Sequence, residues 1–384
     1  MKLKHLFAIL LLAALCISVM PLPMSAKTDA SQEISRYECA SAILMEAETG
    51  TVLYEQNPDQ ALPPASVTKI MTLLLVMEAI DSGTLKLDDM LTCSANAASM
   101  GGSQVYLEEG EQISVEELIK CVVICSANDA AVVLAEAVAG SEEAFVTKMN
   151  VRAKELSMKN TVFENTNGLD DTATNHVTSA RDIAIMSREL IKHDKILEYS
   201  SIWMDSIRNG SFGLTNTNRL VRFYSGATGL KTGSTSKAKF CISATAKRGD
   251  MHLICVVMGA ETRDIRNTIA TKLLDWGFAT YSLYVDNEPQ TNYVTVKGGT
   301  QNFAKAQEQS FCCIVNKGQE NKITKEVAIN EVMTAPLTPG TPVGTVKYMC
   351  GDQILGQSDI LTVDFVDKIK FSQVLIRIFS AFII

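Results

Sequence analysis

The stretch "VTKIMTLLLVMEAIDSG", ending at Gly83, constrains the fold more than any other. It is apolar nearly all the way round, whereas a surface helix shows one apolar stripe and one polar face. Such a helix has to be covered on every side, so the chain must supply further layers around it. The breaker "PPAS" stands before it and Gly83 closes it, the order in which helices start and stop. Lys69 enters this helix in its first turn. An ammonium carried into an apolar interior is driven toward its neutral form.

The flanking segments supply the layers. "ASAILMEAETGTVLYEQN" reads as a hairpin, two β-rich runs around the turn "EAETG". "SVEELIKCVVIC" reads as a helix opened by a capping box, with Ser114 and then Glu117 three residues on. A short break, "SAND", separates it from "AAVVLAEAVAG", and "EEAFVTKMNVRAKELS" and "SARDIAIMSRELIKH" are further helices. The pattern then turns to the strands "KFCISATAKR" and "MHLICVVMGA", closed by the amphipathic helix "RDIRNTIATKLLDWGFATY". Strands bracketing a block of helices predict an α/β chain of the α+β type, not a βαβ repeat.

Past the linker "DNEPQ" the chain changes to short β-like runs such as "NYVTVK" and "SFCCIV" and a Pro-rich stretch from Pro336 to Pro342. This predicts a larger first domain over 36–286 and a small β-rich domain over 288–364. The tail over 365–384, "FVDKIKFSQVLIRIFSAFII", is apolar with Lys368, Lys370 and Arg377 interspersed. It reads as an amphipathic helix lying in a membrane surface, with docking on the β-rich domain as the alternative.

At the other end, Lys2 and Lys4 precede the apolar run "LFAILLLAALCISVM", and small residues stand near Ala26. Residues 1–26 therefore read as a signal peptide, with a retained membrane helix as the alternative. Either reading places the rest outside the cytoplasm, on the outer face of the membrane or in the cell-wall space. An exported chain with ten cysteines invites disulfides. Nine remain once Cys16 leaves, an odd number, and no spacing suits zinc. Most are expected to be small buried hydrophobes. A net charge of −8 without a basic stripe argues against a nucleic-acid partner.

The chemistry-bearing residues fall in three short motifs. In "ASVTKIMT", Ser66 precedes the buried helix and Lys69 lies three residues on, on the same face. A serine becomes a nucleophile when a base lies beside it, and a desolvated lysine can be that base. Two other SxxK pairs, Ser234 with Lys237 and Ser236 with Lys239, lie where a turn leads into a strand and share no helical face. The triplet "SAN" occurs at 94–96 and 126–128. The second interrupts two apolar helices and can project Ser126 and Asn128 into a cleft, whereas Ser94 reads as a helix cap. The third motif is "GLKTGST". A phosphate loop requires glycine before the lysine and a helix after it, and here Leu230 and a strand pattern stand instead. Lys231 and Thr232 offer a cation and a hydroxyl to a carboxylate, and Gly233 allows a close backbone approach.

Taken in this order, SxxK, SxN and KTG resemble the low-molecular-mass penicillin-binding proteins, the serine D-Ala-D-Ala carboxypeptidases of the SxxK acyltransferase superfamily. The resemblance runs from "ASAILMEAETGTVLYEQN" to "LLDWGFATY" and includes "SANDAAVVLAEAVAGSEEAFVTKMN" and "TSARD". It implies an antiparallel sheet covered by helices, a helical subdomain, a β-rich C-terminal domain and an amphipathic tail. It further implies that Ser66 attacks the bond between two D-alanines of a peptidoglycan pentapeptide and that Lys69 takes its proton. Ser126 would pass a proton to the departing D-alanine, and Asn128 would hold the substrate amide and Lys69. Lys231 and Thr232 would bind the terminal carboxylate, with the oxyanion between the N–H groups of Ser66 and Ser234. β-Lactams would trap Ser66, and no cofactor or metal is implied.

The sequence departs from that pattern at three places. Ser234 stands where His or Tyr is common, Lys239 where glycine is usual, and Asn167 where some members have histidine. Asp182 fits. Two alternatives stay open. One is a β-lactamase of the same superfamily, for which Glu164 would have to serve as the deacylating carboxylate; "ENTNGL" lacks the expected loop pattern, and Glu164 is expected to face solvent. The other is a non-catalytic wall-binding scaffold. No GxSxG supports a Ser-His-Asp hydrolase, and His176 reads as an ordinary loop residue.

Overall fold

A computed structural model describes residues 36–171 and 173–382; the expected signal peptide lies outside them. Five antiparallel strands form the central sheet: β1 (Ser41–Glu46), β2 (Val52–Gln56), β3 (Ala227–Thr235), β4 (Lys239–Arg248) and β5 (Met251–Ala260). Their spatial order is β2-β1-β5-β4-β3, so β3, which carries Lys231 to Ser234, is an edge strand. β4 and β5 are buried along most of their length. A strand with consecutive buried residues is covered on both faces, which is why "CISATA" and "LICVVM" do not alternate.

The helices supply that cover. The apolar stretch becomes α1 (Lys69–Asp81), buried through Ile70, Leu73, Leu74, Val76 and Met77. Each such side chain contributes roughly 1.5–3 kcal/mol relative to exposure. α1 stops where expected, with Gly83 at φ 75° just past its end. α2 (Val115–Lys120) packs on α3 (Asn128–Ala139); around α1 pack α3, α4 (Glu142–Glu155) and α5 (Ala180–Leu190), the last also lying on β1 and β5. Ser114 caps α2 as its spacing predicts, its hydroxyl accepting from the Glu117 N–H at 3.2 Å. The closing helix, α6 (Arg263–Thr280), rests on β4 and β5.

The expected domain boundary is more closely knit than a linker. Tyr281, read as the end of α6, instead opens β6 (Tyr281–Val285), which pairs with β9 (Cys312–Asn316) beyond the boundary. Asp286 then accepts from Tyr348 Oη at 2.7 Å and from Lys325 Nζ at 2.6 Å. The other strands beyond this boundary form a second sheet: β7 (Thr291–Lys297), β8 (Phe303–Glu308), β10 (Ile323–Ile329), β11 (Val332–Thr334), β12 (Pro342–Cys350) and β13 (Gln353–Thr362), in the order β10-β12-β13-β8-β7-β11. Its core is built on Val294, Val296, Val346, Tyr348, Ile360 and Val366. Because Val366 belongs to this core, the tail helix α7 begins only at Phe371 and runs to Phe382.

The cysteines depart from the expectation. Cys93, Cys121, Cys241 and Cys255 are buried, but Cys39, Cys125, Cys312, Cys313 and Cys350 are only half-buried. Cys312, Cys313 and Cys350 lie on strands that bury only some of their residues.

Lys239 explains its own oddity. It opens β4 at φ 55°, a left-handed conformation in which glycine meets no steric cost. Its ammonium pairs with Glu261 on the surface, where an ion pair adds little. Lys239→Gly is expected to stabilise the fold by up to about 1 kcal/mol, read from the urea midpoint. A clear destabilisation would show that the Glu261 pair matters more than the backbone.

Candidate active site

The site begins with the turn that leads into α1. Ala65–Thr68 forms a single 3-10 turn, and Ala65 sits at φ 48°, left-handed without being glycine. Ser66 thus lies in a tightened turn at the helix N-terminus, one step inside the position expected for it. Lys69 is the first α-helical residue and is fully buried. Its Nζ lies 2.9 Å from Ser66 Oγ, 2.6 Å from Asn128 Oδ1 and 2.9 Å from the Asn167 carbonyl oxygen. Burial, and after it the nearby charge of Lys231, hold the Lys69 ammonium well below the usual lysine range. Among the described residues its hydrogen-bond partners are neutral oxygens, and the opposing pull of Cys125 and Asp129 does not offset that desolvation.

Ser126 and Asn128 come from a break that has its own geometry. After α2 the helix widens into a π turn over Cys121–Cys125, and Ser126 ends it at φ 67°, ψ 30°. Such bulges cluster at functional sites because they re-aim the side chains that follow. The Ser126 hydroxyl is buried and has no hydrogen-bond partner among the described residues. A buried orphan of this kind calls for an explanation, and a substrate atom supplies one. Asn128 is held on three sides: its N–H donates to the Ser103 carbonyl at 2.7 Å, Nδ2 donates to the Gly101 carbonyl at 2.6 Å, and Oδ1 faces Lys69. Asp129, next in the chain, accepts from the N–H groups of Val105 at 3.0 Å and Leu107 at 3.1 Å, fixing the segment that presents Ser103.

The third wall is β3. A Cβ on Gly233 would stand 2.8 Å from Ser66 N and 2.9 Å from both Val67 N and the Pro64 carbonyl. The glycine is therefore required inside the protein, to let the edge strand lie against the turn that carries Ser66. That reason differs from the expected one, clearance for a substrate backbone. Thr232 Oγ1 donates to Thr217 Oγ1 at 2.8 Å. Ser234 is exposed beside them. Lys231 is only 1% exposed, donates to the Thr232 carbonyl at 2.9 Å, and is pushed down to about 7 by burial.

These walls enclose a cleft of about 180 Å³. Ser66, Ser126, Thr232, Gly233 and Ser234 line it, whereas Lys69, Asn128 and Lys231 stand behind its surface. Four further residues, Ser103, Thr217, Arg263 and Arg266, line it as well and were not singled out from the sequence. Burial, then the neighbouring Arg263, lower Arg266 to about 10. Among the described residues Lys231, Arg263 and Arg266 take part in no ion pair, so three cations converge without a carboxylate. In the sequence "RDIR" reads only as the polar start of an amphipathic helix. Nothing local shows that β5 delivers that start to the cleft.

The competing motif copies are placed elsewhere. Ser94 caps a short helix, accepting from the Ala97 N–H at 3.0 Å. Lys237 donates to the Asp170 carbonyl at 2.9 Å, and Lys239 pairs with Glu261, so neither meets a serine. Glu164 is exposed and accepts from the N–H groups of Thr174 at 2.7 Å and Asn175 at 3.0 Å. The departure at Asn167 leaves Lys69 untouched, because the contact uses the backbone carbonyl while the side chain accepts from the Leu169 N–H at 2.9 Å.

Residues 26–262 match the family described as D-alanyl-D-alanine carboxypeptidase, and residues 278–368 match the penicillin-binding protein 5 C-terminal domain. The chain is similar to D-alanyl-D-alanine carboxypeptidase DacF of Bacillus subtilis, 42% identical over 94% of this chain and 95% of that protein. It is 34% identical to DacC of Escherichia coli, over 90% and 88% of the two chains. The fold is similar to that of penicillin-binding protein 5 from Haemophilus influenzae, with a TM-score of 0.77, 29% identity, and coverage of 87% and 98%. It is also similar to penicillin-binding protein D2 of Listeria monocytogenes in its ampicillin-bound form, with a TM-score of 0.58, 33% identity, and coverage of 63% and 98%.

Proposed function

The chain belongs to the D-alanyl-D-alanine carboxypeptidase family, and from that premise we propose that Ser66 is its nucleophile and Lys69 its base. The protein is a serine-type D-Ala-D-Ala carboxypeptidase of peptidoglycan stem peptides and a penicillin-binding protein. One observation carries the assignment: a fully buried lysine with only neutral partners lies 2.9 Å from a serine hydroxyl that lines the cleft.

The proton count supports it. A neutral amine has two N–H bonds and one lone pair. Asn128 Oδ1 and the Asn167 carbonyl are pure acceptors and take both N–H bonds. The lone pair is left for the Ser66 O–H. As Oγ attacks the carbonyl carbon of the penultimate D-alanine, its proton passes to Nζ. The negative charge on the former carbonyl oxygen falls to the N–H groups of Ser66 and Ser234, and Gly233 lets β3 lie close against the turn of Ser66. The C–N bond then breaks, the departing amine takes a proton through the Ser126 hydroxyl, and D-alanine leaves. Water attacks the ester, with Lys69 again accepting a proton, and frees Ser66.

The substrate peptide lies along the open edge of β3, where an edge strand offers unpaired backbone groups. Its terminal carboxylate meets Thr232, Arg263 and Arg266, with Lys231 adding positive charge from behind the wall. The direct cationic contact thus shifts toward the arginines. α7 serves as a surface anchor, since Phe371, Ile376, Ile378 and Phe379 are exposed along it. Among the described residues no helix is long and apolar enough to cross a membrane.

Incubation of the purified protein with a pentapeptide ending in D-Ala-D-Ala is expected to release one D-alanine, and a chromogenic cephalosporin is expected to leave a long-lived adduct on Ser66. Fast cephalosporin turnover without D-alanine release would sink the carboxypeptidase assignment in favour of a β-lactamase.

A further inference from the structure

We infer that His176 is a positioning residue for the nucleophile, acting through Thr68 on the turn that carries Ser66; this rests on the assignment of Ser66 above. The Glu164 N–H donates to His176 Nδ1 at 3.0 Å, so Nδ1 is the unprotonated nitrogen. Nε2 then carries the hydrogen and donates to Thr68 Oγ1 at 2.7 Å. Thr68 passes its own hydrogen to the Ala65 carbonyl at 2.8 Å. Every donor in this relay has one acceptor, and its direction is set by a backbone N–H that cannot reverse.

The relay ends at the residue that needs support. Ala65 is left-handed at φ 48°, a conformation that costs an alanine free energy unless its surroundings hold it there. Its carbonyl is gripped by Thr68, and the next residue is Ser66. The same loop supplies the Asn167 carbonyl to Lys69 and places Gly168 hard against the Ala65 carbonyl. His176 therefore joins the segment that holds the base to the turn that holds the nucleophile. The imidazole is 7% exposed and rests edge-on to Phe163, its ring centroid 5.8 Å away. Burial holds it neutral, down at about 4, against the opposing pull of Glu164 and Asp170. No atom of it lines the cleft, so it touches neither substrate nor the attacking oxygen.

The test is the second-order rate of Ser66 acylation by a fluorescent penicillin, measured with thermal unfolding for each variant. Thr68→Val keeps the shape and removes the hydroxyl; it is expected to slow acylation at least about tenfold, and Thr68→Ser to restore it. His176→Ala is expected to slow acylation by a similar factor. The double variant should be no slower than the worse single variant, because both cut one relay. Deacylation, timed from preformed adduct, should change less than acylation. Additive losses, or Thr68→Val acylating at the wild-type rate, would overturn the inference. If His176→Ala fails to fold, the Thr68 pair decides alone. Adduct formation in Ser66→Ala would instead overturn the underlying nucleophile assignment.

Discussion

Ser66→Ala is expected to lose D-alanine release by at least about four orders of magnitude and to form no covalent penicillin adduct. The size follows from what nucleophile removal does in serine acyl transfer, where the remaining donors and binding contacts retain only a residual rate. The fold should survive. Ser66 is half-buried, and among the described residues its hydroxyl makes one hydrogen bond, with Lys69. Losing one such contact costs about 1 kcal/mol. Lys69 keeps Asn128 Oδ1 and the Asn167 carbonyl. The measurements are product release from pentapeptide, intact mass after penicillin treatment, and a urea unfolding curve. An adduct at full stoichiometry in the folded variant would move the nucleophile to another residue, and Ser126, which lines the same cleft, would be the first to test.

Gly168→Ala is expected to destabilise the protein by about 3 kcal/mol or more and to abolish acylation with it. A Cβ there would stand 1.9 Å from the Ala65 carbonyl oxygen, 2.3 Å from its carbon and 2.8 Å from Thr68 Oγ1, and the residue sits at φ 85°. Overlap with backbone cannot be relieved by turning a side chain, so the loop or the nucleophile's turn must move. Either motion takes the Asn167 carbonyl from Lys69 or displaces Ser66. Gly140 provides the internal comparison. It has the same φ of 85° at the end of α3, but a Cβ there would meet nothing within 4 Å. Gly140→Ala should cost only the left-handed backbone term, about 1 kcal/mol, and leave acylation unchanged. Equal costs for the two variants, read from urea midpoints, would show that the clash at Ala65 is relieved locally.

The comparison of the two glycines shows where local sequence stops being informative. "NTNGL" carries an Asn-Gly pair, and the chain bends over Asn165 to Asn167. Nothing in the five letters says that its carbonyl reaches a lysine 98 residues earlier in the chain. Gly233 is similar: its place in KTG was legible, but the reason for it, contact with Ser66 N, needed β3 to be laid against the turn. His176 read as an ordinary loop histidine, and its bond to Thr68 spans 108 residues.

The sequence by itself determined the long helices, the main strands and the meeting of Ser66 with Lys69. α1 had to be buried because no face of it was polar, and Ser66 and Lys69 had to meet because they are one helical turn apart. Ser114 and Ser94 had to cap because their hydroxyls stand just before helical runs. These are local consequences of periodicity and backbone donors, and they survive without knowledge of the neighbours. Tertiary structure alone decided the rest: that Asn128 and the Asn167 carbonyl share the Lys69 amine, that Arg263 and Arg266 line the cleft with no ion pair among the described residues, and that Lys231 is buried behind its wall. Each depends on segments brought together by packing, and a side chain's partner across a packed interface leaves no period or spacing in the chain to be read.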